Sequence, residues 1–292
     1  MSNEPAPAAA PPTGRKPIYS LLTMMVAVAC VVLPVMFWHG TWFGRHLSDE
    51  QLATYLAATD QPRKLQHALT ELTRRIDARD ADGTDAGDAG LDRFYPAVAA
   101  LAAHPRWPVR STTAWVMGRD HRGAGFHDAL LTLLHDPVLV VRHNAALALT
   151  NFEDDAGHDV ILSMLESTPA TTPAGGVLTG LLPVDAAIRV DLRIGQIDTD
   201  GHGVVDLPAP ITGRIGHCFF SNGDRVAVGD VVYAIEPGEL QIIQALRALG
   251  RLGRASDVGI IERVRDRASS TAAVVEQAGA TIAAIQRGTA GS

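Results

Sequence analysis

Apolar residues recur at helical spacing over most of the chain, and a central block breaks that period. Residues 18–38, IYSLLTMMVAVACVVLPVMFW, carry no charge at all. About 20 apolar-dominated residues suffice to cross a bilayer as a helix, so the run predicts a transmembrane helix. Tyr19 stands at one end and Trp38, Trp42 and Phe43 at the other, as interfacial belts require. Downstream, SDEQLATYLA from Ser48 predicts a cap helix with Ser48 as N-cap. PRKLQHALTELTRRID from Pro62, LDRFYPAVAALAA from Leu91, GFHDALLTLL from Gly125 and DVILSMLES from Asp159 continue the helical period. It resumes in DVGIIERVRDR from Asp257 and SSTAAVVEQAGATIAAIQR from Ser269.

Three of the helical stretches are copies of one another. HPRWPVRSTTAWVMGRD begins at His104, and DPVLVVRHNAALALTNF begins 32 residues later at Asp136. Pro105 matches Pro137, Val109-Arg110 matches Val141-Arg142, and Ala114 matches Ala146. A third copy, EPGELQIIQALRALGRL from Glu236, follows at an offset of 100 and aligns Pro237, Ala245, Ala248 and Leu249 with the second. Each unit sets an acidic residue or histidine, then proline, at a helix start, where the missing N–H costs nothing. This array resembles HEAT repeats, the helix-pair units of α-solenoids. The resemblance implies a mainly α fold: a short HEAT-like solenoid in two parts, 46–168 and 238–288.

The third pair is split by about 70 residues where a short turn would suffice. An inserted all-β domain is therefore expected over 171–236. Ile188, Val190, Leu192 and Ile194 alternate with Arg189, Asp191, Arg193 and Gly195, the period of a half-buried strand. Asn222-Gly223 signals a tight hairpin. Gly223, Asp224, Val226, Gly229, Asp230, Val232 and Ile235 then spell G-D-x-V-x-x-G-D-x-V-x-x-I. With Ala209 to Ile215 ahead of it, this stretch resembles the biotinyl/lipoyl fold, a barrel-sandwich, as carried by membrane fusion (HlyD-type periplasmic adaptor) proteins. The chain departs from those adaptors, whose long helical hairpin and further β-domains are missing. Biotinyl and lipoyl groups are attached to a hairpin lysine, and the only lysines are Lys16 and Lys64. No covalent lipoyl or biotin, and no other cofactor, is expected.

Composition narrows the function further. The net charge is −7, so no basic face points to nucleic acid. Residues 1–17, rich in proline and alanine, read as a disordered tail. Arg15 and Lys16 precede the apolar run, while Asp49 and Glu50 follow soon after Arg45. That bias places the N-terminus in the cytoplasm and the rest in the periplasm of a bacterial inner membrane. Cys30 and Cys218 have no partner spacing for a disulfide or zinc site.

His121, His127, His135, His143 and His158 show no ligand pair on one helix turn, and His217 and Cys218 are strand neighbours facing opposite ways. The runs Asp198–Gly203 and Asp80–Asp85 resemble calcium loops but lack the twelfth-position glutamate. Asp154-Asp155 reads as solvated loop charge. No catalytic, cofactor-binding or metal-ligating residue is predicted, and the chain is not expected to be an enzyme. The expectation is a single-pass, membrane-anchored scaffold or accessory subunit making protein–protein contacts in a transporter or respiratory complex. A periplasmic adaptor of an efflux or secretion system and a metal- or redox-handling accessory protein are the alternatives.

Overall fold

The computed structural model describes residues 24–28, 30, 46–81, 90–199, 201 and 203–290. Residues 1–48 form a unit separate from 49–292. The tail predicted over 1–17 and most of the span predicted over 18–38 lie outside the described residues. Within that span residues 24–28 and 30 are helical. Among the described residues no helix is long and apolar enough to cross a membrane. The two longest described helices carry charges instead, from Arg63 to Asp80 in one and at Glu276 and Arg287 in the other. The expected single-pass placement in a bacterial inner membrane, N-terminus inside and remainder periplasmic, is therefore corrected: no described element supplies the span.

The mainly α expectation is corrected as well. Helix makes up 54% and strand 15%, the latter in two antiparallel sheets, so the chain is a mixed α and β protein. The helices are α1 (Asp49–Ala57), α2 (Pro62–Ala81), α3 (Tyr95–Ala100), α4 (Trp107–Met117), α5 (Phe126–Leu133), α6 (Leu139–Leu149), α7 (His158–Ser163), α8 (Glu239–Leu252), α9 (Val258–Arg265) and α10 (Ala272–Ala290). Their apolar stripes are buried: in α2, Leu65, Leu69, Leu72 and Ile76 recur every three to four residues and are at most 1% exposed. Helices α2, α4, α6, α8 and α10 lie side by side in one layer, and α3, α5, α7 and α9 pack against that layer.

The copied residues do the same work in the first two units. The Asp136 carboxylate accepts from the Val138 N–H at 2.8 Å, and at the equivalent position His104 Nδ1 accepts from the Arg106 N–H at 3.0 Å. Both start the following helix by taking up a free backbone donor. Arg110 donates to the carbonyls of His104 and Pro105, and Arg142 donates in the same way to those of Asp136 and Pro137. Arg110 also forks onto the Asp136 carboxylate at 2.5 and 2.9 Å, tying one unit to the next. The third copy departs here. Its Glu236 is drawn into the β-domain, where it accepts from Arg214 at 2.6 Å.

Between α7 and α8 the chain forms β1 (Thr168–Thr171), β2 (Gly176–Thr179), β3 (Ala187–Ile188), β4 (Arg193–Asp198), β5 (Val204–Pro208), β6 (Gly213–Cys218), β7 (Arg225–Val226) and β8 (Val231–Pro237). One sheet runs β1-β8-β6-β3 and the other β5-β4-β2-β7. Their inner faces close over Leu178, Ile194, Ile197, Leu207, Ile215 and Ile235. The alternating run 188–194 is two strands and not one, because Asp191 turns the chain with φ 62°. Asn222-Gly223 likewise makes no hairpin: β6 and β7 belong to different sheets, and the turn passes between them. The repeated Gly-Asp pairs have a common geometry. Gly223 and Gly229 take φ 94° and 90°, and the following Asp224 and Asp230 accept from the N–H three residues back at 2.7 and 2.8 Å.

The β-domain sits on the N-terminal ends of the side-by-side helices. Trp107 Nε1 donates to Asp191 at 3.0 Å, and Leu139 and Val140 pack against the β core. Trp107 and Leu139 are equivalent positions, 32 residues apart. Among the described residues, nothing comparable covers the far ends of α4, α6 and α8.

Candidate functional site

Those far ends form a groove across α4, α6 and α8, made of two adjoining hollows of about 610 and 410 Å³. Equivalent positions of the three copies line it. Asn144 and Gln244 share one position, Trp115, Leu147 and Arg247 the next, and Arg119, Asn151 and Arg251 the third. Along α6 and the turn that follows it, and along α8, these stand at i, i+3 and i+7, the spacing of one helix stripe. The stripe is free because the alanines beside it, Ala145, Ala148, Ala245 and Ala248, turn inward and are buried. Trp115 is 47% exposed, which is unusual in a chain whose aromatic content is 5%.

The lining is fixed by hydrogen bonds between units. Asn144 Nδ2 donates to the hydroxyl and carbonyl oxygens of Ser111 at 2.9 and 3.1 Å. Asn151 Nδ2 donates to the Gly118 carbonyl at 2.8 Å, and its Oδ1 accepts from Arg251 at 2.5 Å. Arg247 Nε donates to Gln277 Oε1 at 3.3 Å. Beneath the α4 end, Asp120 accepts from Tyr95 at 2.5 Å, Arg79 at 2.9 Å and Arg122 at 3.1 Å. Burial alone would raise the Asp120 pKa, but these donors outweigh it and hold the carboxyl at about 2.

Charge is uneven along the groove. At the α2 end, Arg119 pairs with Asp77 at 2.5 Å and Arg122 with Asp80 at 3.2 Å. Arg119 also lies over the Trp115 ring, 5.9 Å from its centroid. At the α8 end, the guanidinium groups of Arg247 and Arg251 meet only amide oxygens, and among the described residues neither has a carboxylate partner. Guanidinium, amide and indole groups thus present hydrogen-bond donors and an aromatic face at repeated intervals.

The residues weighed for chemistry in the sequence are scattered. His143 and His158 are buried in the helical layers, and His158 Nε2 meets the Asp257 carboxylate at 2.8 Å. His127 Nε2 lies 2.6 Å from Asp154. His217 is exposed with its ring 4.5 Å from that of Phe219, while half-buried Cys218 donates to the Phe220 carbonyl. Residues 82–89, 200 and 202 of the two acidic loops lie outside the described residues. Among the described residues no group of three or more His, Cys, Asp and Glu side chains could hold a metal ion. The groove residues were not singled out from sequence. Yet the offsets of 32 and 100 that align the copies also align the lining, so the exposed row was present in the alignment.

Comparison with known proteins finds no matching family model and no matching curated protein.

Proposed function

We propose that the chain is a non-catalytic scaffold or accessory subunit that binds another protein through the groove across α4, α6 and α8. The observation that carries this reading is the three-fold recurrence of the lining. One exposed stripe per copy, with an exposed tryptophan and two arginines that have no acidic partner among the described residues, is a surface suited to a partner. The side-by-side helix pairs support taking the array as a HEAT-like solenoid, an architecture that offers extended concave faces to partners. The two small sheets and the paired Gly-Asp turns support a biotinyl/lipoyl-like barrel-sandwich acting as a rigid module. Its β4–β5 connection runs from Thr199 to Gly203 without a lysine, so a swinging-arm role has no attachment point.

The test is photo-crosslinking in the native host with the full chain. A photoreactive amino acid replaces Leu147 in the groove or, as control, Asp128 on α5, whose side chain is 93% exposed. A discrete crosslinked protein from position 147 that is missing from position 128 is the expected result. Equal or no crosslinking from the two positions would overturn the reading.

A further inference from the structure

The distribution of charge along the groove says what kind of segment it takes. Arg247 and Arg251 are four residues apart on α8 and both exposed. Their side chains are spaced along the α8 axis by about 6 Å of helix rise, while the groove runs across α8, α6 and α4. Each guanidinium can donate to carboxylate oxygens in fork geometry, so this end of the groove suits acidic side chains. Next along the groove, Leu147 and Trp115 offer an apolar step. Beyond them Asp77 and Asp80 already neutralise the α2 side, so a further acidic residue there would be repelled.

We infer that the groove binds an extended segment of a partner protein that crosses the helices, with an acidic end on Arg247 and Arg251 and an apolar side chain further along against Leu147 and Trp115. This rests on the protein-binding reading above and gives the segment a composition and a direction: acidic at α8, neutral or basic toward α2. A nucleic-acid strand shares the anionic chemistry. It would extend its charge along the whole groove, over Asp77 and Asp80, and the net charge of −7 opposes it.

The experiment is selection of a random extended-peptide display library on the purified full chain, against the wild type and an Arg247→Ala/Arg251→Ala variant. Both arginines are exposed, so losing their single bonds to Gln277 and Asn151 is expected to lower the melting temperature only slightly and to leave the transition cooperative. Enrichment of acidic residues at one end of the peptide and an apolar residue toward the other, lost in the variant, is the expected result. The selected peptide, made with a fluorescent label, should bind at least about tenfold more weakly to the variant and to its own Glu→Gln form. An Arg247→Lys/Arg251→Lys variant should recover part of that loss. Enrichment of peptides without acidic residues, or acidic peptides bound equally by the variant, overturns the inference. So does tighter binding of a labelled twelve-nucleotide oligothymidine through the same arginines. In the first two cases crosslinking from position 147 still stands or falls separately, because it does not depend on which segment is bound.

Discussion

His143 is buried on α6 beside Arg142, and burial first and that positive charge second push its pKa down to about 4 from the ordinary 6.5. Between those values the unfolded chain takes up a proton that the folded chain refuses. Stability is therefore full above pH 6.5 and falls as pH drops toward 4, by at most about 3 kcal/mol. Replacing His143 by leucine should flatten that slope, which urea midpoints at pH 7 and pH 5 would show directly. The carboxylates act in a lower window. Burial raises and the bonds from Arg74 and Arg75 more strongly lower Glu71, to about 2, and Asp120 is held at about 2 as well. Their folded values lie below the unfolded ones, so their contribution is present above about pH 4.5 and lost as pH falls toward 2. Asp120→Asn should cost about 2 kcal/mol at pH 7 and little at pH 2, measured as the difference in unfolding free energy from wild type. None of this was visible in sequence. Histidines at 104, 143 and 158 look alike in the chain, and only packing makes one a helix-start acceptor, one a buried neutral ring and one the partner of Asp257.

At the level of elements, close helix approach explains where small residues are needed. A Cβ at Gly118 would stand 2.7 Å from the Ala148 Cβ and 2.9 Å from its Cα. Gly118→Ala therefore has to push α4 away from α6, and the expected cost is about 1–3 kcal/mol, read from the urea midpoint. The same displacement should loosen the Asn151 bond to the Gly118 carbonyl and with it the groove. How much of these elements was legible depended on their length. The helices follow their apolar stripes over several turns, so the periodicity of α2 or α8 survives any detail of packing. Strands β3 and β7 are two residues each, too short for alternation to register. Ile188 to Ile194 therefore read as a single strand, while the real constraint, the turn at Asp191 held by Trp107, came from 84 residues away. The groove was half legible: the repeat alignment held its rows, but which row faces out depends on the buried alanine faces meeting in the fold.

For the whole molecule, the central question is how the array stays continuous across 70 residues of β structure. Thr168 lies opposite Ile235 in the antiparallel β1–β8 pair, so the two ends of the insert are one strand spacing apart, roughly 5 Å. The flanking helices meet directly. Gln241 donates to the Met164 carbonyl at 3.2 Å, Arg254 pairs with Asp155 at 2.6 Å, and His158 meets Asp257. These contacts join residues 77 to 99 apart, and Arg251–Asn151 adds another across the groove. The helical layers thus carry their own bonds over the gap, and the β-domain has its own core. Replacing residues 168–237 by a short glycine–serine linker should leave a helical protein that melts cooperatively, with strand signal lost from the far-UV circular dichroism spectrum. Its melting temperature should fall, because Leu139, Val140 and Trp107 lose their cover while the bonds across the gap remain. The groove, at the opposite helix ends, should still bind the selected acidic peptide. A deletion product without a cooperative transition would show instead that the cover over Leu139 and Val140 is required for the layers to close, making the β-domain a structural keystone of the array.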